Sequence, residues 1–78
     1  MVTTDAAPSV TLRVQAVPSG RFEIRQDDRL LGTSQNEMMA VWSAVAAAEQ
    51  MAKSGRTVRV VARREGRDIE QFVARPKA

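Results

Sequence analysis

A chain of 78 residues has room for one domain, and a core of that size buries only about 60% of the surface its unfolded chain exposes. The absence of Cys and His excludes a disulfide framework, a thiolate nucleophile, an imidazole base and the usual zinc and haem ligand sets. Twelve Lys+Arg against nine Asp+Glu leave a net charge of +3 and a pI near 10.6, the balance of many nucleic-acid proteins. Ten of the twelve bases are Arg, however, and they alternate with acids at Arg21/Glu23/Arg25, Asp27-Asp28-Arg29, Arg64-Glu65 and Arg67-Asp68. That is the pattern of a solvated surface rather than a basic block. No apolar run approaches the roughly 18 residues of a membrane span, and Met1–Pro8 lacks a basic region followed by an apolar stretch. The chain is therefore expected to be soluble and cytoplasmic, with no membrane partner.

Glycine and proline fall between periodic segments and divide the chain cleanly. Residues 1–8 are small and polar, end at Pro8, and read as a disordered tail; the domain is expected over 9–76, with 77–78 as a C-terminal tail. From Ser9 to Val17 the side chains alternate, with Val10, Leu12, Val14 and Ala16 on one face and Thr11, Arg13 and Gln15 on the other, the mark of a half-buried strand. Pro18-Ser19-Gly20 supplies turn chemistry, and Arg21–Gln26 alternates again with Phe22 and Ile24 together, so the two runs form an antiparallel hairpin. After Asp27-Asp28, the segment Arg29-Leu30-Leu31-Gly32 is open to three readings: a strand continued past a bend, a short extra strand, or a loop. A short extended segment leading into a helix is favoured.

Ser34-Gln35-Asn36-Glu37 matches the capping box S-x-x-E, and nothing breaks a helix from Gln35 to about Ser54. Lys53 suits the negative end of the helix dipole, and Gly55 is placed for a left-handed stop. Arg56–Arg64 alternates with Val58, Val60 and Ala62 together; Glu65-Gly66 reads as a tight turn, and Asp68–Arg75 as the last strand. A two-residue turn pairs Arg63 with Asp68 and Ala62 with Ile69, then Val60 with Gln71, leaving Phe72 outside. A one-residue bulge reverses the later part and buries Phe72. Both registers stay open. The expected fold is α+β, ββαββ, with one four-stranded antiparallel sheet and a single long helix packed on one face.

At about 100° per residue, Val41, Val45, Ala48 and Ala52, flanked by Met38 and Trp42, mark the helix face expected to meet the sheet. A second stripe, Ala40, Ala44, Ala47 and Met51, lies beside it, with Met39 and Ala46 on the other side. Clear polarity is confined to Ser43, Gln50 and Lys53, with Glu49 at the edge, a narrower polar face than a solvated helix usually shows. Alanine tolerates water, so this composition has a bland explanation. The sharper one makes Met39, Ala40, Ala44, Ala47 and Met51 a low ridge for another helix, giving a homodimer or a complex with another protein.

The strand faces opposite the core collect Arg13, Arg25, Arg59 and Arg63 and, in one register, Phe72. A basic sheet face with an aromatic is how several RNA-binding platforms stack bases and hold phosphates, so these five residues form a candidate nucleic-acid face. The competing reading is a solvated face with cross-strand ion pairs such as Arg63/Asp68. No catalytic, cofactor or metal site is expected. The serines have no His to activate them, Lys53 and Lys77 sit at a helix end and in a tail, and Asp27-Asp28 lack further oxygen ligands for calcium. The glycines do not cluster into a phosphate-cradling loop.

The element order, the capped Ala-rich helix and the hairpin around Arg63-Arg64-Glu65-Gly66-Arg67-Asp68-Ile69 together resemble, in pattern, small bacterial ββαββ domains of unknown function. The likeness spans roughly residues 10 to 75 and contains no diagnostic motif. It implies a bacterial domain and transfers no catalytic residue. The expected function is a non-catalytic binding or assembly module, with nucleic-acid binding through the Arg-rich face as the alternative.

Overall fold

A computed structural model describes residues 9–76; the tails expected over 1–8 and 77–78 lie outside the described residues. The elements are β1 (Ser9–Ala16), β2 (Phe22–Gln26), β3 (Arg29–Ser34), α1 (Glu37–Ala52), β4 (Thr57–Arg64) and β5 (Arg67–Ala74). The fold is α+β with one helix over one mixed sheet of five strands, ordered β3-β2-β1-β4-β5. The expected four-stranded antiparallel sheet is thereby corrected on two points.

First, Arg29–Ser34 is a strand, paired antiparallel with β2 from Phe22↔Ser34 to Gln26↔Arg29. The tight turn that allows it puts Asp27 at φ 54°, a left-handed conformation that Asp tolerates better than most residues. Second, β4 runs parallel to β1, from Ser9↔Thr57 to Val14↔Ala62. Alternation within each strand fixes the hairpins but says nothing about which strand of the first hairpin receives the second, or in which direction. With β3 occupying the far edge of β2, the free edge of β1 is left for β4. The helix then supplies the crossover that a parallel pair requires, 16 residues or about 24 Å at 1.5 Å per residue. β1 becomes a central strand, consistent with Val10, Leu12 and Val14 being buried.

The helix begins two residues later than the capping box suggests. Ser34 is held in β3, and Asn36 is the N-cap, its side chain accepting from the Met39 N–H at 2.9 Å. Glu37 does not turn back to a cap. It accepts from Arg64 at 2.7 Å and ties the start of α1 to the end of β4. At the other end Gly55, at φ 95°, donates to the Ala52 carbonyl, the left-handed stop expected there.

The face of α1 against the sheet is Ala40, Ala44, Ala48 and Ala52, all buried, with Val41 and Val45 on one flank and Ala47 and Met51 on the other. The expected face of Val41, Val45, Ala48 and Ala52 is thus rotated: Ala48 and Ala52 are buried as expected, while Val41 and Val45 move to the flank and Ala40 and Ala44 join the centre. A column of methyl groups lets the helix axis come close to a sheet whose own side chains, Leu12, Val14, Val58 and Val60, already fill the layer. Larger residues on that line would hold the helix off. Met38 and Trp42, expected at the edge of the core, are 70% and 68% exposed.

The register of the last hairpin is the bulged one. Arg64↔Arg67, Arg63↔Asp68 and Ala62↔Ile69 flank a turn in which Glu65 and Gly66 both take positive φ, 51° and 77°. The pairing then shifts between Val60 and Val61, so that Gln71 is the extra residue and Val60 faces Phe72. The bulge returns Phe72 to the helix side, where it packs against the core.

Candidate interaction surface

The sheet face away from α1 carries Arg13, Arg25, Arg59 and Arg63, as alternation requires, and each of them holds an acid. Arg13 and Arg63 both donate to Asp68, at 2.9 Å each; Arg59 donates to Glu70 at 3.0 Å, and Arg25 to Glu23 at 2.9 Å. The two guanidinium groups on Asp68 hold its carboxyl well below the usual carboxylate range, chiefly through the hydrogen bond from Arg13 and next through that from Arg63. The reverse effect raises the Arg13 pKa, first through the same hydrogen bond. Under this lattice lies Val61, paired laterally with Arg13 and Glu70 and only 2% exposed although it points away from the helix. The hydrocarbon stems of the neighbouring arginines cover it while their charged heads stay in water.

This arrangement bears directly on the candidate nucleic-acid face. Its four arginines share one surface, but Phe72 lies on the opposite side of the sheet because of the Gln71 bulge. What remains is a set of four cations held by three carboxylates with no aromatic among them, which lacks the stacking component of a single-strand platform.

The candidate dimer ridge also divides. Ala40 and Ala44 are at 0% exposure beneath the helix, and Ala47 and Met51 pack against the core edge, so these four do not face outward. Of the five, Met39 alone is exposed, at 53%. The outer face of α1 is instead formed by Met38, Met39, Trp42, Ser43, Ala46 and Gln50. No charged residue interrupts it between Glu37 and Glu49. On its β5 side a groove opens between Val41, Trp42, Val45 and Ala46 on the helix and Gln71 and Phe72 on the strand. It continues past Glu49 to Lys53, Ala74, Arg75 and Pro76 at the C-terminal end of α1. Ile69, 41% exposed, and the N-terminal methionine pair extend the apolar character toward the β4–β5 turn.

The residues that sequence reasoning missed are thus Met38, Trp42 and Ala46. The available signal was the strict four-residue spacing of Ala40, Ala44, Ala48 and Ala52. In a helix apolar nearly all round, small residues at that spacing mark the closest contact, and the large residues beside them are displaced outward.

Among the described residues no group of three or more Cys, His, Asp or Glu could hold a metal ion. No helix among them is long and apolar enough to cross a membrane. No protein-family model, curated protein or solved structure matches the chain.

Proposed function

We propose that this chain is a non-catalytic binding and assembly module whose working surface is the outer face of α1 with the groove beside β5. The observation that carries the reading is Trp42, the one Trp of the chain, standing 68% exposed in the middle of an uncharged helix face. A free aromatic ring on such a face leaves apolar area in water that a partner would remove, and exposed apolar patches of this kind mark interaction sites. The charged sheet face supports the reading by contrast: each of its four arginines is held by one of three carboxylates, which leaves one net positive charge and little electrostatic attraction for a polyanion.

Site-specific photo-crosslinking in the native cell tests this. A photoreactive residue at Ala46 is expected to form protein adducts, and one at Gln15, on the open sheet face, to form none. Equal labelling from the two positions, or salt-sensitive binding of generic RNA by the purified chain, overturns the reading.

A further inference from the structure

Resting on the reading of the α1–β5 groove as a docking surface, we propose that its partner is an acidic and apolar peptide segment of another protein, seated with its apolar side chains over Trp42 and Phe72 and its carboxylates at Lys53 and Arg75. The two ends of the groove differ in charge. Toward the N-terminal end of α1 its walls are Val41, Trp42, Val45 and Ala46 facing Phe72, with Gln71 the polar exception. Toward the C-terminal end the floor stays apolar at Ala52, Phe72 and Ala74, but exposed Lys53 rises on the helix side and exposed Arg75 on the strand side. Glu49 is the one carboxylate among the described lining residues, so that end carries excess positive charge.

These cations are not used by the fold. Unlike Arg13, Arg25, Arg59 and Arg63, neither takes part in an ion pair among the described residues, and Arg56, in the link to β4 at the same end, takes part in none either. Nor is Lys53 consumed by the helix end, a usual role for a cation there. The carbonyls of Gln50, Met51 and Ala52 accept from the N–H groups of Lys53, Ser54 and Gly55, and the Ser54 hydroxyl donates to Met51 as well, at 2.7 Å. The shape selects a peptide over a small anion with an apolar tail. From Val41 to Lys53 the groove runs about 18 Å along α1 at 1.5 Å per residue, open along its length. A fatty acid lying there would keep much of its chain in water, whereas small-ligand sites bury most of the ligand. A peptide buries one face and leaves the other solvated, as an amphipathic helix does in a groove. Ala46 and Lys53 are about 10 Å apart along the axis, which places the carboxylates roughly two helical turns from the apolar anchors.

The test uses the full chain in its native cell, with a photoreactive residue at Ala46 and sequencing of the crosslinked peptide. The captured segment is expected to carry apolar side chains and at least two Asp or Glu beside them. Lys53→Glu with Arg75→Glu is expected to lower the adduct yield at least about tenfold, through like-charge opposition to those acids. The same change in net charge on the β2–β3 side, Arg21→Glu with Arg29→Glu, is expected to leave the yield within about twofold, because charges beyond a Debye length are screened. All four positions are exposed, so circular dichroism is expected to show the parent fold in both variants. Adducts that persist in Lys53→Glu with Arg75→Glu, or captured segments rich in Lys and Arg, overturn the inference and leave the docking surface standing. No adduct from Ala46 overturns both. The chain has one Trp and no Tyr, so Trp42 emission is read directly in the purified protein. A blue shift on adding palmitate, or vesicles of phosphatidylglycerol in phosphatidylcholine, makes the occupant an anionic amphiphile and also overturns the inference.

Discussion

The open face of the sheet and the outer face of the helix solve the problem of exposure in opposite ways. On the sheet, five charged side chains from β1, β4 and β5, three arginines and two acids, gather around the buried Val61 and pair with one another. On the helix, the largest side chain of the chain stands in water with no charge within a turn of it on the same face. The first surface is internally satisfied and offers a partner little. The second is left unsatisfied by the fold itself, because the alanine column that brings α1 close to the sheet takes the inward positions and leaves Trp42 outside.

The sharpest way to break this comparison is to place the same charge on the two sides of α1. Ala44→Glu buries a carboxylate in the core that Ala44 shares with Leu12 and Val60 and is expected to cost at least about 3 kcal/mol, unfolding the chain in a thermal melt. Ala46→Glu, half a turn away, is expected to change monomer stability by no more than about 0.5 kcal/mol. Equal costs in chemical denaturation would place the helix in a different rotation.

Phe72→Ala probes what the bulge places on the helix side. The extra residue Gln71 is what turns Phe72 toward α1, so truncating the ring removes apolar burial there and is expected to cost about 2 kcal/mol in urea unfolding. A variant as stable as the parent would mean that Phe72 contributes nothing to the helix side.

Acid titration probes the charged face alone. The Asp68 carboxyl is depressed in the folded chain relative to its unfolded value, so the unfolded chain takes up the proton first as pH falls. Its stabilisation is fully present above the ordinary carboxylate range, near pH 4, and fades as pH drops further toward the folded pKa. Asp68→Asn is expected to flatten that acid limb while leaving the Trp42 emission of the folded chain unchanged. The smallest effect is expected from Arg59→Ala with Arg63→Ala. Solvent-exposed pairs contribute well under about 1 kcal/mol each, so the double variant should lose little stability and less still in high salt. A loss of several kcal/mol would show that the arginine stems over Val61 hold more of the fold than their charges do.

Much of this molecule was legible in its residues. The alternation in Ser9–Ala16, Phe22–Gln26 and Thr57–Arg64, the turn at Glu65-Gly66 and the stop at Gly55 follow from side-chain period and from glycine's freedom at positive φ. Less was legible where several local answers are nearly equal in energy. Leu30-Leu31-Gly32 alternates too briefly to declare itself a strand, and its pairing with β2 depends on β2 having a free edge. Ser34 and Asn36 are both competent caps, and the choice fell to Asn36 because Ser34 was taken by strand pairing.

The sequence by itself determined an α+β chain with one long helix ahead of a final hairpin, and a composition without Cys or His. Tertiary structure alone decided the direction of β4, the bulge that places Phe72, and the rotation of α1 that hides Ala40 and Ala44 while presenting Trp42. Periodicity is a property of one element and is written along the chain. Direction, register and helix rotation are relations between elements, fixed by which packing fills the shared layer most closely, and a nearly all-apolar helix states no preference until the sheet is there to receive it.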